Sequence, residues 1–391
     1  MTLERRSPPF ALPQYSLTGD LLSFARCGLQ YRYQNGSKLP PSRPVQMWFG
    51  EFIHGVLEGA YRIWQEGGGV PAFPWPTGIP EWRNEPPEEW PQHHIGRIGY
   101  NVEQVLRVQG KNSRNRHTRR SAYERAFAAV NEIGVHLFPL VESAEERIIG
   151  TRQLEPDPAE ARRSDRYELH GIVDVITNVT LGGAQTGNVL RDAIERACPD
   201  LEGEYEVIVD YKGSRRPASN HIYWAQGDWQ LQTYAWLRTR QPDTRPVAAG
   251  VLIYVNELVP GNEELRHLKR ALDSGASEVL PPEGSHDWYL ITNWQPGNAL
   301  PELSPAFRYE RAIRVVPVTA ESMRTSLNQF DDLVGQIEHC VATEIAAGTI
   351  DGQWSAEGDE ESCAACDYRY FCPSPHGHRE AGYEVQAPAA P

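Results

Sequence analysis

Apolar residues in the first third of the chain recur at the three- and four-residue steps of amphipathic helices. The clearest case is the segment 45–66, one side of which is marked by Trp48, Phe52, Val56, Ala60 and Ile63. Residues 17–34 and a stretch over about 99–141 are also predicted to be mostly helical. Residues 67–92, by contrast, are rich in Pro, Gly and Trp, a composition that predicts a long irregular loop.

From about residue 147 the pattern changes to short segments rich in Val and Ile, which are typical of strands. Strands are predicted over 146–155, 167–179, 204–214, 247–257 and, more briefly, 288–294. Helices are predicted over 222–238 and about 319–347. Two polar segments, 181–203 and 259–285, interrupt this series as insertions.

This order of elements predicts a mixed α/β core with a helical cap. We divide the chain into an N-terminal helical cap of residues 1–146, a core of residues 147–318 and a C-terminal region of residues 319–391. The strands and helices do not alternate as a doubly wound sheet requires. Neither GxGxxG nor GxxxxGK followed by Ser or Thr occurs, so a nucleotide-binding loop of those types is not expected.

Composition limits the class of protein. The chain carries 52 acidic and 38 basic residues, a formal net charge of −14, which excludes a uniformly basic nucleic-acid coat. Any phosphate-binding surface must be a local basic patch or must use bound cations. Six cysteines without a signal peptide argue against a secreted disulfide scaffold. No run of about 18 apolar residues occurs. We therefore expect a soluble cytoplasmic protein that does not span a membrane.

Four cysteines at the two ends of the chain suggest a metal site. Cys27 lies near the start, and Cys363, Cys366 and Cys372 form a C-x2-C-x5-C pattern near the end. Four thiolates suit zinc or an iron–sulfur cluster, and such a site would link the two ends. The alternatives are a small zinc knuckle or unreactive thiols. His376 and His378, farther along the tail, are either metal ligands or solvated residues.

A second candidate site contains carboxylates and a lysine. Asp210 and Lys212 are two residues apart on a predicted strand, so both point to one face. Asp174 on the preceding strand would supply a second hard oxygen ligand, which suits Mg²⁺ or Mn²⁺. His54 on the helix 45–66 would add a ligand from the cap, and Glu155 is a further acidic candidate. A lysine beside a bound cation suits phosphodiester chemistry.

Each of these features also has a simpler interpretation. Asp210 and Lys212 alone would be a surface ion pair, and a histidine on an apolar helix is usually packed and hydrogen-bonded. Gln230 and Tyr234 lie four apart on one helix face, where they would be ordinary surface residues or would contact the lysine or a substrate. The order of all these residues along the chain favours the catalytic interpretation.

Basic residues give candidates for contact with nucleic acid. The segment 111–125 contains Lys111, Arg114, Arg116, Arg119 and Arg120, and Arg215 and Arg216 follow Lys212 closely. Arginine suits phosphate contacts, which provide affinity without sequence recognition. A solvated helix face is the alternative. The aromatic residues of 71–90 would stack unpaired bases, or would serve packing or a partner surface.

The order of these motifs along the chain resembles that of the PD-(D/E)XK nuclease superfamily. The motifs are, in order, His54, Gly171-x-x-Asp174, Asp210-x-Lys212, Gln230-x3-Tyr234 and the cysteine pattern. The similar branch is RecB-like and includes CRISPR-adaptation and AddB-type nucleases. The resemblance implies a restriction-endonuclease-like mixed sheet flanked by helices, with a C-terminal iron–sulfur region. It also implies a [4Fe–4S] cluster on Cys27, Cys363, Cys366 and Cys372.

The resemblance further implies roles for individual residues. His54, Asp174, Asp210 and the Tyr211 carbonyl would bind Mg²⁺ or Mn²⁺, Lys212 would be the catalytic lysine, and Gln230 and Tyr234 would belong to the helix that faces the substrate. The chain departs from these relatives in carrying Gly28 after Cys27, where they commonly have proline. It is also longer than the compact members, through the segments 67–92, 181–203 and 259–285.

We therefore predict a metal-dependent DNA nuclease, an exonuclease on single-stranded or frayed DNA ends. Its setting would be DNA repair, CRISPR adaptation or another antiviral defence, and a helicase or an integrase-type subunit is a candidate partner. The alternative is a nuclease-like subunit that binds DNA ends or a partner and cuts little. A third class, a zinc-held interaction scaffold, would lack catalytic activity.

Overall fold

The computed structural model describes residues 12–36, 44–82, 84–155, 162–179, 184–358, 360–369 and 372–373. This part of the chain forms a mixed sheet of β1 (Gln14–Ser16), β2 (Val141–Gln153), β3 (Arg166–Val179), β4 (Tyr205–Lys212), β5 (Val247–Tyr254) and β6 (Ile313–Pro317). The strand order is β1-β3-β4-β5-β6, and β2 pairs antiparallel with β3. The pairs β1-β3 and β4-β5 are parallel, whereas β3-β4 and β5-β6 are antiparallel.

Four predicted strands are confirmed as β2, β3, β4 and β5. β2 begins at Val141, so the predicted domain boundary after residue 146 falls inside a strand. The short strands β1 and β6 were not predicted. Every residue of β4 from Tyr205 to Tyr211 is buried, because β4 is paired on both sides and covered on both faces. The strand that carries the candidate aspartate and lysine is therefore central.

The predicted helix over residues 17–34 is present in pieces. A π-helical turn at Leu17–Leu21 is followed by α1 (Leu22–Arg26), α2 (Gly28–Tyr31) and a second π-helical turn at Arg32–Gly36. Cys27 lies between α1 and α2 with an extended backbone, φ −165° and ψ 113°. The expectation that Cys27 lies inside a helix is wrong. The break brings this segment against the C-terminal region, where the Leu29 N–H donates to the Ser355 carbonyl.

The cap consists of α3 (Pro44–Glu66), α4 (Ile95–Val108), α5 (Arg116–Ala128) and α6 (Val135–Leu137), with a π-helical turn at Ala129–Gly134 and a 3-10 turn at Phe138–Leu140. Both predicted helical regions are thus confirmed. The described residues of 67–92 lie outside helices and strands, as expected. The predicted apolar stripe of α3 is buried at Trp48, Phe52, Val56 and Ala60. It packs in one core with Val207, Val209 and Tyr211 of the sheet.

The remaining helices are α7 (Val189–Ala197), α8 (Ile222–Arg238), α9 (Asn262–Ser274), α10 (His286–Asn293), α11 (Pro305–Ala312), α12 (Ala320–Ala347) and α13 (Glu360–Ala365), with a 3-10 turn at Val255–Glu257. The predicted helices 222–238 and 319–347 are confirmed as α8 and α12. These two helices cover the sheet face opposite the cap, in a core that includes Ile208, Leu252, Leu231 and Phe330.

The insertions contain helices that were not predicted. The described part of 181–203 forms α7, and 259–285 contains α9. Helices α9, α10 and α11 share a small core of Leu265, Leu268, Ile291, Trp294, Leu303 and Phe307. The insertion therefore packs as a helical unit beside the sheet.

Residues 288–294, predicted as a short strand, belong instead to helix α10 and its C-terminal cap. The Ser285 hydroxyl accepts a hydrogen bond from the Trp288 N–H at 3.3 Å and starts the helix. Buried Asp287, Ile291 and Trp294 recur at steps of four and three, which is the period of a helix. The prediction was wrong because a short apolar run fits either type of element.

Among the helices that the structure describes, none combines the length and the apolarity that a bilayer crossing requires. His376 and His378 lie outside the described residues.

Candidate active site

Three polar side chains from β4 and α8 form a closed set of contacts. The Lys212 ammonium Nζ lies 2.6 Å from Asp210 Oδ2 and donates to Gln230 Oε1 at 2.6 Å. Gln230 Nε2 in turn donates to Asp210 Oδ1 at 2.9 Å. The two-residue alternation of β4 places Asp210 and Lys212 on the face covered by α8, where Gln230 meets both. The ammonium is therefore held between a carboxylate and an amide oxygen.

Asp174 connects β3 to β4 and to the cap. Its Oδ2 accepts a hydrogen bond from the Tyr211 N–H at 2.8 Å, and its Oδ1 lies 3.3 Å from His54 Nδ1. The other ring nitrogen of His54, Nε2, lies 3.0 Å from the Tyr211 carbonyl oxygen. The predicted residues His54, Asp174 and Tyr211 thus contact one another from α3, β3 and β4, whereas Asp210 flanks Tyr211 and contacts Lys212 and Gln230.

Glu145 is an acidic residue at this site that the sequence analysis missed. It lies on β2 between Ala144 and Glu146, which pair with Val175 and Val173, so it stands opposite Asp174. Its φ of 53° is in the left-handed region, which is rare for a residue other than glycine. The segment also contains Glu142 and Glu146, and only the register of β2 on β3 distinguishes Glu145 from them.

The acidic candidate Glu155 lies elsewhere. It lines a separate cavity of about 1010 Å³ with Arg152, Asp331 and Cys340, at the far end of β2. The expectation that Glu155 joins the acidic site is therefore corrected to Glu145. The physical reason is that β2 is long, and its two ends serve different regions of the fold.

Burial and charge shift the protonation of these groups. Burial raises the pKa of Asp210, and the Lys212 ammonium opposes this shift. Burial by itself would lower the pKa of His54, but the charges of Asp174 and Asp210 and the hydrogen bond to Tyr211 raise it to about 9. Loss of water contacts, followed by repulsion from Asp174, raises the pKa of Glu145 to about 7. Without a cation, the site thus retains protons near neutral pH.

Gln230 is positioned by Tyr234 and, indirectly, by a glycine of β3. Gln230 Nε2 lies 3.3 Å from the Tyr234 hydroxyl oxygen, to which it can donate. The Tyr234 ring lies so close to Gly171 that a Cβ there would come within 2.5 Å of the ring atom Cε1. Gly171, three residues before Asp174, therefore allows α8 to approach β3 and brings Gln230 to Lys212.

The donor set fits a hard divalent cation. Among the described residues, the metal-ligand side chains that lie within 4.8 Å of one another in a group of three or more are His54, Glu145 and Asp174. The carboxylate oxygens of Glu145 and Asp174 are the kind of ligand that Mg²⁺ and Mn²⁺ prefer. Asp174 and Asp210 are 9% and 4% exposed, so a cation would neutralise carboxylates that water solvates little.

The four predicted cluster cysteines converge. All six cysteines are free thiols. Burial, and then the neighbouring thiols Cys372 and Cys363, raise the pKa of Cys27, and burial together with Cys27 and Cys372 raises that of Cys366. Gly358 lies between Cys27 and Cys363, since a Cβ on it would be 3.1 Å from Cys363 Sγ and 3.7 Å from Cys27 Cβ. The broken N-terminal helix is what exposes Cys27 to this group.

Two of the arginines predicted to contact nucleic acid are interior residues. The Arg119 guanidinium is 7% exposed and binds Glu103 and the Pro80 carbonyl. The Arg216 guanidinium, 5% exposed, donates to the carbonyls of Arg311 and Ile313, and burial lowers its pKa to about 10. The prediction is therefore corrected for Arg119 and Arg216: both guanidinium groups are buried and bonded to other parts of the fold, which keeps them from a nucleic-acid backbone.

The other predicted contact residues remain at the surface. Lys111 is half-buried and forms an ion pair with Glu51 at 2.6 Å. The exposed residues are Arg114, Arg116, Arg120 and Arg215. Of these, Arg120 pairs with Glu124 one helical turn away. The exposed basic surface thus consists of fewer residues than the sequence analysis predicted.

Comparison with known proteins identifies the family. The family model of the PD-(D/E)XK nuclease superfamily matches residues 19–373. The match spans most of the chain, so the chain belongs to this superfamily, and the mixed sheet flanked by helices is consistent with a restriction-endonuclease-like fold. No curated protein matches the chain. The solved structure of SSO0001 is 11% identical, covers 81% of this chain and 95% of its own, and has a TM-score of 0.25, too low to carry an argument.

Proposed function

We propose that this member of the PD-(D/E)XK nuclease superfamily is a metal-dependent DNA nuclease that hydrolyses phosphodiester bonds at single-stranded or frayed DNA ends. One observation carries the proposal. Asp174 contacts the backbone of Tyr211, and His54 contacts both Asp174 and the Tyr211 carbonyl. Asp210 and Lys212, which contact each other, flank Tyr211 in the sequence. The buried carboxylates of Asp174 and Asp210 thus lie around one residue, with the His54 imidazole beside Asp174 and the Lys212 ammonium beside Asp210, and these are the residue types that metal-assisted phosphoryl transfer uses.

The cation would be held by His54, Asp174, Asp210 and the Tyr211 carbonyl, with Glu145 as a further ligand. When bound, Mg²⁺ or Mn²⁺ polarises the phosphodiester and acidifies the attacking water. His54 contributes from the cap, so the cap would be part of the catalytic unit and not only a cover. The described contacts of His54 support this role, because both of its ring nitrogens already face oxygen atoms of the site.

Lys212 would orient the attacking water and stabilise the negative charge that develops on the phosphate. The water oxygen attacks phosphorus and releases a proton to solvent, the bond to the leaving ester oxygen breaks, and that oxygen takes up a proton from solvent. Gln230 would hold the Lys212 ammonium in place through its Oε1, and Tyr234 would fix the orientation of the Gln230 amide. Burial raises the pKa of Tyr234, which keeps its hydroxyl protonated.

We propose that Cys27, Cys363, Cys366 and Cys372 hold a [4Fe–4S] cluster. The proposal is supported by the convergence of the four thiols, since Cys27 lies near Cys363 and Cys372, and Cys366 lies near Cys27 and Cys372. A cubane cluster binds four thiolates, one at each iron. The choice of an iron–sulfur cluster over zinc rests on the family resemblance. The role of the cluster would be to link the two ends of the chain.

The pathway and partners are proposed from the family resemblance. DNA repair, CRISPR adaptation or another antiviral defence would use such an activity, and a helicase or an integrase-type protein would deliver the DNA. Arg114, Arg116, Arg120 and Arg215 are the exposed candidates for phosphate contacts. A nuclease-like subunit that only binds DNA ends is the second candidate function. The contact of Lys212 with Asp210, and that of Asp174 with the backbone of the intervening Tyr211, favour catalysis over that alternative.

The proposed activity is tested by omission of the metal. We expect end-labelled single-stranded DNA to be degraded in Mg²⁺ or Mn²⁺ and to remain intact in EDTA, because the attacking water needs a Lewis acid. A matched blunt duplex should be cut more slowly than the single strand. Full activity in EDTA, or no cutting under either metal, would contradict the proposal.

Metal affinity should rise with pH. In the metal-free protein the His54 pKa is about 9 and the Glu145 pKa about 7, so a cation must displace protons below these values. Raising the pH removes the protons, and the association constant should increase by up to about tenfold per pH unit through His54. Titration calorimetry with Mn²⁺ at three pH values would measure this increase. The His54→Gln substitution should remove most of the pH dependence of Mn²⁺ affinity above pH ~7. A pH-independent Mn²⁺ affinity in the wild-type protein would contradict the prediction.

A further inference from the structure

We propose that a groove on the helical cap binds single-stranded DNA and directs it toward His54. The groove lies between α4 and the segment that leads into α5, and has a volume of about 590 Å³. Trp48, Trp82, Tyr100, Arg107 and Arg114 are among its lining residues. A second cavity of about 370 Å³, which includes Arg116, shares Trp82 and Arg119 with it. We call the two together the cap groove.

The charge of the cap groove suits a phosphate backbone. Arg107, Arg114 and Arg116 are exposed, and the described residues offer none of them a carboxylate partner. The larger cavity contains Glu103, which is neutralised by Arg119 at 2.8 Å, and the smaller cavity contains exposed Glu81, which accepts a hydrogen bond from the Asn84 side chain at 2.9 Å. On a chain with a formal net charge of −14, three unpaired guanidinium groups along one groove form a local positive surface.

The aromatic residues of the cap groove suit unpaired bases. Trp82 and Tyr100 are half-buried and line the larger cavity. Arg119 lies 5.6 Å from the centre of the Trp82 ring and 4.7 Å from that of Tyr123, and its contacts with Glu103 and Pro80 fix it there. The wall that carries Trp82 is thus rigid before a ligand arrives. Aromatic side chains beside arginines are the usual combination in grooves that bind single strands.

The cap groove ends close to the proposed metal site. Lys111, one of the residues that line it, pairs with Glu51 at 2.6 Å. Glu51 lies three residues before His54 on α3, and residues three apart are neighbours on a helix surface. A strand in the groove would therefore reach the cap residue that contacts Asp174. The claim that the groove delivers substrate rests on the proposed nuclease function. The claim that the groove binds single-stranded DNA does not depend on it.

Single-stranded DNA is the occupant that fits both features. In a duplex the base faces are stacked on one another and are not available to Trp82 and Tyr100. An acidic peptide would satisfy the arginines but not the aromatic wall. The groove therefore predicts a preference for a single strand over a duplex of the same sequence.

Fluorescence anisotropy in EDTA tests the proposal without cleavage. Wild type would be compared with Arg107→Ala/Arg114→Ala and with a control, Arg166→Ala/Arg324→Ala, which removes two exposed arginines outside the groove. The probe is a labelled strand of about 20 nucleotides, which is long enough to span several stacked bases. The groove variant should bind this strand about tenfold more weakly than wild type. Its plot of log affinity against log salt should lose about 1.4 in slope, roughly 0.7 for each phosphate contact. The control should stay within about twofold of wild type.

A second variant separates stacking from charge. Tyr100→Ala should weaken binding of the single strand by at least about fivefold while leaving the salt slope unchanged, since stacking involves no counterion release. Duplex DNA should bind more weakly than the single strand to wild type. Thermal melting of each variant confirms that it is folded, and the exposed positions of Arg107 and Arg114 make misfolding of the double variant unexpected.

Several results would overturn the proposal. They are equal affinities of the groove and control variants, tighter binding of duplex than of single strand, and displacement of DNA by a poly-glutamate peptide at lower concentration than by unlabelled DNA. These outcomes are independent of cleavage. If the groove variants bind normally while metal-dependent cutting persists, the groove proposal fails alone. If wild type binds the strand as expected but never cuts it, the nuclease proposal fails alone.

Discussion

Replacement of Lys212 by alanine is expected to slow DNA hydrolysis by about 10²- to 10⁴-fold, the usual contribution of one general acid–base or charge-stabilising group. Within the described part of the chain, Lys212 supplies the ammonium that contacts Asp210, and its removal leaves a buried carboxylate without that counter-charge. The pKa of Asp210, already raised by burial, would then rise further, and its affinity for a cation near neutral pH would fall. Both effects lower activity. Initial rates on an end-labelled single strand in saturating Mg²⁺ measure the change.

The matched control is Lys269→Ala, the same substitution in the insertion. Lys269 donates to the carbonyls of Thr292 and Trp294 and belongs to the α9–α11 unit, away from the candidate active site. The Lys269→Ala protein should cut single-stranded DNA at about the wild-type rate. The Lys212→Ala protein should still bind single-stranded DNA in EDTA, which separates loss of chemistry from loss of substrate. Cutting by Lys212→Ala at the wild-type rate would remove the proposed mechanism.

The Cys363→Ser variant is expected to lose its iron and to unfold more easily. Cys363 is buried beside Gly358 and Cys27, so a serine there would leave the cluster with three thiolates. Loss of a link between the two ends of the chain should lower the free energy of unfolding by about 3–5 kcal/mol, by analogy with the closure of a long loop. Wild type purified without oxygen should be brown, with absorbance near about 400 nm, and the variant should be colourless. Metal analysis and thermal melting give the two measurements.

Cys198→Ser is the control for this experiment. Cys198 follows α7 and lies apart from the four converging cysteines, so its replacement should leave colour and iron content unchanged. Zinc in place of iron in wild-type protein would contradict the cluster assignment and would favour a zinc-held scaffold. Equal melting temperatures for Cys363→Ser and wild type would contradict the proposed role of the link.

Much of the active-site arrangement follows from local periods. The two-residue alternation of strands predicted that Asp210 and Lys212 share a face, and their 2.6 Å contact agrees with it. The four-residue step between Gln230 and Tyr234 predicted a shared helix face, and both side chains meet within α8. The long helices α3, α8 and α12 were also predictable, because each presents many turns of one repeated pattern.

Shorter and less regular features could not be predicted in this way. Residues 288–294 are too few for a period to be distinguished, and the Ser285 cap and the packing of Ile291 decided for a helix. The break at Cys27 is marked locally by Gly28 alone, and one glycine in a helical pattern does not by itself predict a break. Glu145 could not be separated from Glu142 and Glu146, because the choice depends on how β2 is aligned with β3.

By itself, the sequence determined the helical cap, the central strands and the pairs of residues that share one face, since these depend on backbone geometry within a few residues. Only the tertiary structure decided which acid joins His54 and Asp174, which arginines are buried, and where Cys27 points. Those outcomes depend on contacts between residues far apart in the chain. Arg119 and Arg216 illustrate the difference: burial against Glu103 and the Arg311 carbonyl made them structural, and no local pattern records burial.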